Sequence, residues 1–283
     1  MRRYVQRRTP ANAPVTIEPI IARLGVMLEF QFSTRYEIPV YATGALDPCP
    51  LVTLIGPITY RRVRLHIPAN LEALVVLFSP QGFHELFGEP IAPLTELGTE
   101  AHSVLGISMS RLYQRLGNAR TFEQRVALLD EFLVERMYEV KAPDRISKVL
   151  DCLATPGSSV RIGDVFARTG LSLRQFERKC LERAGVTPKV MARIARFQKA
   201  LQMKKVGSRS WTEIAHLLDY HDQMHMIRDF RAFAGGTPVQ ACEEVAANHL
   251  FSLSPDADYE GSADGLMKSI NARSGAGTRR RPG

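Results

Sequence analysis

One short segment occurs twice in the C-terminal third of the chain, and this repeat constrains the fold more than any other feature. The first copy is Phe176–Pro188, and the second is Met226–Pro238, fifty positions further on. An apolar residue, an arginine, an Ala-Gly pair and a Thr-Pro pair recur in register. Because internal repeats indicate repeated structural units, both copies are expected to fold in the same way.

The residues around the first copy predict a helix, a tight turn and a second helix. Gly170 can adopt the left-handed conformation that ends a helix. Ser172 followed by Gln175 fits a capping box that begins a new helix. In that new helix an apolar face is formed by Phe176, Cys180 and Ala184. The helical spacing leaves an opposite face for contact with a partner, formed by Arg174, Glu177, Arg178 and Leu181.

The second copy has the same local pattern. Ser210 and Glu213 form a second capping-box pair, and Asp222 is the expected cap of the following helix. A buried stripe is expected from Met226, Phe230 and Phe233, which leaves an outward face of Met224, Ile227, Arg228 and Arg231. Two helices joined by a tight turn are the outline of a helix-turn-helix, whose second helix lies in the DNA major groove.

A helix is expected to join the two units. Thr187 is its predicted cap, Pro188 its first residue, and Lys205 lies near its end. A helix of that length spans roughly 27 Å at about 1.5 Å per residue. Major grooves on one side of DNA recur every ~34 Å. Such a helix could therefore hold two DNA-reading units about one turn apart.

The stretch from about Arg145 to Glu244 resembles the DNA-binding domain of AraC/XylS-type transcription regulators. The motifs that carry the resemblance are Gly170–Ser172, Arg178 with Gly185–Pro188, and Asp219–Arg231 with Gly235–Pro238. The chain departs from the family pattern at three positions, with Asp219 for Gly, Met224 for Ser and Met226 for Phe. The resemblance implies a bacterial one-component regulator whose two units bind successive major grooves.

The expected DNA-contacting residues lie on the outward faces of the two second helices. In the first unit they are Arg174, Gln175, Glu177 and Arg178. In the second unit they are Gln223, Met224, Ile227, Arg228 and Arg231.

Charge supports a polyanionic partner. The net charge is +8 and the pI is about 9.5. Twelve basic residues and three acidic residues lie between Arg161 and Lys205. This bias is typical of a surface that faces phosphates, and the alternative is an ordinary solvated helix surface.

The N-terminal half has a different pattern. Residues 1–14 are predicted to be a basic disordered arm. Short apolar runs follow, which predict the strands of a small antiparallel sheet or barrel. These runs are Ile20–Ile21, Val26–Phe30, Leu51–Ile55, Val63–Ile67 and Leu74–Phe78. From Glu100 to about Val140 the apolar spacing becomes helical, with Thr121 and Gln124 as a cap between two helices.

The predicted fold class is α+β. A cupin-like antiparallel sheet or barrel with a helical pair precedes an all-α DNA-binding domain of two helix-turn-helix units joined by a linker helix. The expected boundaries are 15–142 for a sensing and dimerisation domain, 143–246 for the DNA-binding domain and 247–283 for a disordered tail. The sheet domain resembles the sensing and dimerising half of the AraC family.

The expected partners are promoter DNA, a small-molecule effector, a second copy of the chain and, for an activator, RNA polymerase. Dimerisation has an alternative. The apolar stripe of the second predicted helix could form a two-fold contact or simply close the domain core. Its residues are Phe122, Val126, Leu129, Leu133 and Met137.

Catalytic and metal sites are not expected. Four cysteines, Cys49, Cys152, Cys180 and Cys242, lie far apart without a Cys-x-x-Cys pair, which favours a reducing compartment and excludes a zinc knuckle. Three histidines straddle the second turn, where a structural role is favoured over a metal site: His216, His221 and His225. Three others in the sheet region lack the His and Glu pattern of a metal-binding cupin: His66, His84 and His102. No cofactor is expected.

The second functional hypothesis is a DNA-directed enzyme, for alkyl transfer or metal-dependent chemistry, that uses the same DNA-binding unit. Such an enzyme could use Cys49 as a reactive thiol. The favoured alternative is that Cys49 is a small structural cysteine in a turn. The N-terminus lacks the apolar core of a signal peptide, and no apolar run approaches the ~18 residues of a membrane helix. A cytoplasmic location without membrane contact is therefore predicted.

Overall fold

The computed structural model describes residues 3–40, 44–60, 64–137, 144–155 and 162–247. Its strands are β1 (Arg3–Arg8), β2 (Thr16–Pro19), β3 (Met27–Gln31), β4 (Glu37–Pro39), β5 (Leu46–Pro48), β6 (Val52–Ile55), β7 (Arg64–Ile67), β8 (Glu72–Leu77) and β9 (Gly98–Glu100). The predicted tail after Ala247 lies outside the described residues.

Helices dominate the rest of the described chain. They are α1 (Gly82–Phe87), α2 (Ala101–Leu105), α3 (Ser108–Asn118), α4 (Phe122–Met137), α5 (Arg145–Ala154), α6 (Ile162–Ala167), α7 (Leu173–Ala184), α8 (Pro188–Val206), α9 (Trp211–Leu217), α10 (Gln223–Ala234) and α11 (Pro238–Ala247). A short 3-10 turn at Ala92–Leu94 precedes β9.

The strands form two antiparallel sheets. The larger sheet has the order β1-β8-β3-β6-β9, and the smaller has the order β2-β7-β4-β5. The N-terminal strands followed by a helical C-terminal half confirm the predicted fold class.

The central strand β3 shows how the sheets are placed. Successive side chains of a strand point to opposite faces. Leu28 and Phe30 lie in the core that the larger sheet shares with α3 and α4. Met27 and Glu29 point the other way and line a cavity whose wall includes residues of the smaller sheet. The larger sheet is therefore covered by helices on one face and by the smaller sheet on the other.

The prediction of a disordered N-terminal arm is wrong for Arg3–Arg8. This segment is β1, and it pairs with β8 from Arg3↔Leu77 to Arg8↔Glu72. Tyr4 is buried and donates a hydrogen bond to Asp130 of α4. Arg7 lies on the other face, where it pairs with Glu18 at 2.7 Å. The basic residues of this strand have partners inside the fold, so they did not mark a solvated arm.

The helical pair packs on the larger sheet. Leu112 and Leu116 of α3 and Leu129 and Leu133 of α4 are buried in the core that also contains Phe30. Thr121 Oγ1 accepts a hydrogen bond from the Gln124 amide at 3.3 Å, as the cap prediction requires. The internal-core interpretation accounts for these leucines, whereas the dimer interpretation stays a prediction.

One predicted strand has a different role. Ile20–Ile21 follows β2, which ends at Pro19, and Ile21 is buried in the core of the C-terminal helices together with Ala22 and Leu24. Pro19 has no N–H to continue a ladder, so the chain leaves the sheet here. The segment Ile20–Leu24 therefore belongs by sequence to the strand-rich half and by packing to the helical half.

Candidate nucleic-acid interface

The first helix-turn-helix consists of α6, a turn and α7. Gly170 has φ +69°, and α7 begins with the predicted capping box. The Gln175 amide donates to Ser172 Oγ at 3.3 Å, and the Ser172 amide donates to Gln175 Oε1 at 2.9 Å. Phe176 and Cys180 are fully buried, so the inner face of α7 is the one that the sequence predicts.

The outer face of α7 carries the predicted DNA-contacting residues of the first unit. Arg174, Gln175, Glu177 and Arg178 are all exposed. Within the described residues, no hydrogen bond or ion pair holds the Arg174 or Arg178 guanidinium to another part of the protein. The Gln175 side-chain oxygen accepts the Ser172 amide in the cap, and its side-chain NH2 group is available to donate to a base or phosphate.

The second unit consists of α9, a turn and α10. The predicted capping box of Ser210 and Glu213 is present, and Asp222 Oδ1 accepts a hydrogen bond from the His225 amide at 2.6 Å. Asp219 adopts the left-handed conformation with φ +54°, which Asp tolerates better than most residues. Asp219 therefore takes the backbone role for which the AraC family pattern has glycine.

The outer face of α10 differs chemically from that of α7. Gln223, Met224, Arg228 and Arg231 are exposed, and Ile227 is half-buried. Met224 is 55% exposed, which is high for a large apolar side chain. The inner face consists of buried Met226, Phe230 and Phe233, as predicted.

The linker helix α8 holds the two units together. Thr187 Oγ1 accepts a hydrogen bond from the Val190 amide, and Pro188 is the first residue of the helix. The 19 residues of α8 span about 28 Å. Its buried face includes Ile194 and Phe197, which belong to the same core as Phe176 and Phe230. The two outer faces are therefore carried by one packed body.

The basic surface is smaller than the sequence predicts. Arg183 pairs with Asp144 at 2.7 Å, Arg193 pairs with Asp229 at 2.6 Å, and Lys179 pairs with Glu182 at 3.0 Å. The Arg183 guanidinium and the Ser147 amide hold the pKa of Asp144 well below its usual range. Three of the twelve basic residues between Arg161 and Lys205 therefore have carboxylate partners within the protein. Arg161 itself lies outside the described residues.

Sequence reasoning missed the role of Asp229. Its side chain is 1% exposed between Met226 and Phe230 on the inner side of α10, where it accepts two hydrogen bonds from Arg193. The sequence does place the Asp229 carboxylate next to the apolar stripe of α10. A buried carboxylate needs a hydrogen-bonding or charged partner, so this position could have indicated an ion pair. The partner comes from α8, so this ion pair fixes α10 against the linker helix.

Two backbone hydrogen bonds and one side-chain hydrogen bond connect the two units to the strand-rich half. The Ala22 amide donates to Phe233 O at 2.9 Å, near the end of α10. The Ile91 amide donates to Glu182 O at 2.8 Å, and Thr95 Oγ1 donates to Gly185 O at 2.8 Å, both at the end of α7. The carboxyl ends of α7 and α10 are thus both attached to the sheet domain.

A cavity of about 240 Å³ lies between the two sheets. Its apolar wall includes Met27 and Leu77 of the larger sheet and Ile38 and Leu65 of the smaller sheet. Gln198 of α8 also lines it, so the cavity reaches the linker helix. This volume lies slightly below the ~300–1,000 Å³ of typical small-molecule sites. Sequence reasoning predicted an effector but did not identify these residues.

The described residues contain neither a cluster of metal ligands nor a membrane-spanning helix. No group of three or more His, Cys, Asp and Glu side chains in these ranges could hold a metal ion. Nor does any helix of the described chain combine the length and the apolar character that crossing a membrane requires.

Comparison with known proteins identifies the helical half. Residues 165–243 match the family described as "Helix-turn-helix domain". A comparison with curated protein sequences finds no match.

Solved structures with a similar arrangement are those of ToxT from Vibrio cholerae. An apo variant is 10% identical and covers 85% of this chain and 97% of its own, with a TM-score of 0.46. Another ToxT structure is 12% identical, with 86% and 98% coverage and a TM-score of 0.46. A third, described as bound to an unsaturated fatty acid, is 10% identical, with 85% and 94% coverage and a TM-score of 0.45. Since these TM-scores are below 0.5, the assignment rests on the helix-turn-helix match and the geometry above.

Two capped helix-turn-helix units on one linker helix define a DNA-binding protein. Residues 165–243 are a helix-turn-helix domain of the AraC type, as the sequence resemblance predicts. The chain is accordingly a DNA-binding transcription regulator.

Proposed function

We propose that the chain binds a promoter through two successive major grooves, with α7 in one groove and α10 in the next. The observation that carries this proposal is the exposure of both outer faces on a single packed body joined by α8. The length of α8, about 28 Å, suits two units placed about one DNA turn of ~34 Å apart.

In the first unit, Arg174 is the proposed base-reading residue. Arginine forms bidentate hydrogen bonds with guanine O6 and N7, and the Arg174 guanidinium is exposed near the start of α7. Recognition helices contact bases mainly through their N-terminal residues. Arg178 lies one turn further along, and Gln175 and Glu177 complete the contact surface.

In the second unit, the proposed contacts are less specific. Met224 and Ile227 are apolar, so they can contact a thymine methyl group but cannot read a donor and acceptor pattern. Arg228 and Arg231 are exposed on the same helix and suit phosphate contact, while Gln223 stands at its first turn. The second half-site is therefore expected to depend on thymine or on DNA shape.

The sheet domain is the proposed sensor. We assign residues 15–142, together with β1, to sensing and residues 143–246 to DNA binding, with the cavity between the sheets as the effector site. Support comes from the apolar cavity wall and from Gln198, which places the linker helix at the cavity. Dimerisation through α3 and α4 and contact with RNA polymerase remain further predictions for this regulator.

A role without catalysis is part of the proposal. Cys49 is the thiol on which the alkyl-transfer alternative depends. Burial raises its pKa to about 12. Because the thiolate is the nucleophilic form of cysteine, this pKa keeps Cys49 unreactive at neutral pH.

Binding-site selection with the full chain tests the proposed DNA contacts. Random duplexes are enriched on the protein, and hydroxyl-radical footprinting then locates the protected positions. We expect two half-sites with centres about 10–10.5 bp apart, of which the first is sharply defined and the second is degenerate. A single half-site, or two equally sharp ones, would contradict the proposed roles of α7 and α10.

A further inference from the structure

The cavity between the sheets combines an apolar wall with four charged side chains, those of Glu29, Glu96, Arg3 and Arg23. The Glu96 carboxylate already accepts a hydrogen bond from the Thr59 amide at 2.6 Å. Glu29 lies in the middle of β3, opposite Thr53 of β6 and Val75 of β8, on the face that lines the cavity. Its side chain belongs to a residue that is only 4% exposed. A carboxylate at such a position needs hydrogen-bond donors, because water does not solvate it.

The donors that the protein supplies reach only part of this carboxylate. The Tyr36 hydroxyl hydrogen-bonds with Glu29, and Arg7 Nη1 lies 3.4 Å from the same hydroxyl. Glu29 Oε1 is buried and has no hydrogen-bond partner within the described part of the chain. A buried acceptor left without a partner costs about 1–3 kcal/mol, so a donor from a bound molecule would be favoured here.

The neighbouring arginines are engaged elsewhere. Arg23 Nη1 donates to Gly25 O at 2.8 Å, and its Nη2 donates to Gly56 O at 3.0 Å and to Ile55 O at 3.3 Å. Arg7 pairs with Glu18 at 2.7 Å. Both guanidinium groups therefore act on the charge of Glu29 from a distance and leave its Oε1 without a donor among the described residues.

We propose that the cavity binds a small apolar molecule with one N–H or O–H donor, and that this donor bonds to Glu29 Oε1. The inference rests on the proposed role of the cavity as the effector site, and it names the chemical class of the effector. The apolar wall holds the hydrocarbon part, while Glu29 selects the polar end.

The same geometry disfavours carboxylic acids. An acid anion next to Glu29 would meet a like charge, and the Arg23 N–H groups on that side already donate to backbone carbonyls. Burial raises the pKa of Glu29 to about 7, against the lowering effect of Arg7, Tyr36 and Arg23. A bound ammonium group favours the ionised form of this carboxyl, whereas a bound carboxylate opposes it.

Three probes that differ only in the polar end test the proposal: octylamine, 1-octanol and octanoate. Each is titrated into the full chain at pH 7, and binding is measured by calorimetry and by the shift of the unfolding temperature. We expect octylamine and 1-octanol to bind at least about tenfold more tightly than octanoate, as one charge-assisted hydrogen bond implies. Octylamine binding should also release protons, seen as a dependence of the heat on the buffer.

Glu29→Gln is the informative variant, with Glu18→Gln as its matched control. Both replace a buried carboxylate in the network around Arg7, but Glu18 does not line the cavity. Glu29→Gln should abolish the preference for octylamine over octanoate, and Glu18→Gln should retain it. If Glu29→Gln does not fold, the probe ranking and the proton release of the unchanged chain decide the matter.

Three results would overturn the proposal: octanoate binding as tightly as octylamine, no binding of any probe, or an unchanged ranking in folded Glu29→Gln. DNA binding to the selected two-part site is measured in parallel without any probe. Retained DNA binding with the wrong ranking would refute the ligand class alone, whereas absent DNA binding would refute the proposed function itself.

Discussion

The two helix-turn-helix units share a scaffold and differ on the surface that faces DNA. α7 and α10 are both 12 residues long, both begin at a side-chain cap, and both end at a left-handed glycine, Gly185 and Gly235. Their outer faces diverge, since Arg174 and Glu177 in α7 correspond to Met224 and Ile227 in α10. The repeated residues are thus those that pack the inner face of each unit. The residues on the outer face, which faces DNA, differ between the two units.

The inner faces also differ in how they distribute volume. The first unit has Phe176 and Cys180 where the second has Met226 and Phe230. All four residues are 0% exposed. Phe230 packs edge-on against Phe197 of α8 and Trp211 of α9, with ring centroids 4.9 and 5.4 Å away. The second unit therefore concentrates its anchoring contacts on one aromatic ring, at a register position where the first has a small side chain.

The largest expected effect follows from this difference. Phe230→Ala should lower the free energy of unfolding by about 3–5 kcal/mol, because it leaves a cavity between α8, α9 and α10. Cys180→Ala, at the matched position of the first unit, removes a single sulfur atom and should cost about 1 kcal/mol. Urea denaturation of both variants gives the comparison. Equal losses of unfolding free energy would show that Phe230 and Cys180 contribute equally to the packing of their units, against this prediction.

The second prediction compares two left-handed glycines of the first unit. Gly170 and Gly185 have φ +69° and +72°. A Cβ at Gly170 meets nothing within 4 Å, but one at Gly185 would lie 2.5 Å from Thr95 Oγ1 and 2.8 Å from Ile91 Cγ2. Gly170→Ala should cost about 1–2 kcal/mol of backbone strain.

Gly185→Ala should cost roughly 2–4 kcal/mol, since the clash with the sheet domain adds to the strain. Thr95 cannot move away freely, because its hydroxyl donates to Gly185 O. Thermal unfolding of the full chain measures both losses. The contact between α7 and the sheet domain would be in doubt if the two alanine variants unfolded at the same temperature.

The third prediction concerns the outer faces. Arg174→Ala should weaken binding to the selected site by about 1–3 kcal/mol and relax the preference at one base pair. Met224→Ala, in the second unit, should cost less than about 1 kcal/mol, because it removes only an apolar contact. Fluorescence anisotropy with specific and scrambled duplexes measures both.

Arg111→Ala is the matched control for charge. Arg111 is exposed on α3 in the sheet domain, so its removal changes the net charge without touching either outer face. It should leave the preference between duplexes unchanged. A loss of preference in Met224→Ala as large as that in Arg174→Ala would reverse the proposed ranking of the two units.

The smallest expected effect concerns Asp144, which caps α5 and pairs with Arg183 of α7. The pKa of Asp144 is lower in the folded than in the unfolded state. Its contribution to the free energy of unfolding is therefore present above about pH 4 and is lost as the pH falls below that value. Asp144→Asn should cost about 1 kcal/mol at neutral pH, because the cap is retained and the partly exposed ion pair is lost.

Denaturation at pH 7 and pH 3 checks this prediction. The difference in unfolding free energy between Asp144→Asn and the unchanged chain should be smaller at pH 3 than at pH 7. Asp222→Asn is the comparison variant, because Asp222 also caps a helix but pairs with no arginine of another helix in the described part of the chain, and it should show a smaller change. A constant difference across the pH range would exclude the ion pair as its cause.

Local signals explain what the sequence predicts well. The pairs Ser172 with Gln175 and Ser210 with Glu213 form their capping boxes within four residues, so their geometry depends on little else. The buried stripes of α7 and α10 follow from helical spacing and the apolar residue types. The domain architecture of the C-terminal half was therefore predictable with its helix starts.

Long-range contacts explain what it does not predict. The strand β1 is rich in arginine, and its role depends on partners such as Glu72 and Asp130 that lie far away in the chain. Arg193 was counted among the basic residues that face phosphates, and Asp229 was given no role, whereas the two form one ion pair. The nine predicted DNA-contacting residues stay predictions, and the cavity around Glu29 emerged only from the packing of two sheets.

The segment Ile20–Leu24 limits how such a regulator can be recombined. Ile21, Ala22 and Leu24 fill part of the helical core, although they precede almost the whole sheet domain in the chain. A helical half cut out at residue 143 would expose the apolar groove that these side chains occupy. A chimera that exchanges sensing domains between relatives must therefore match this segment to the new helical half, or it will inherit a poorly closed core.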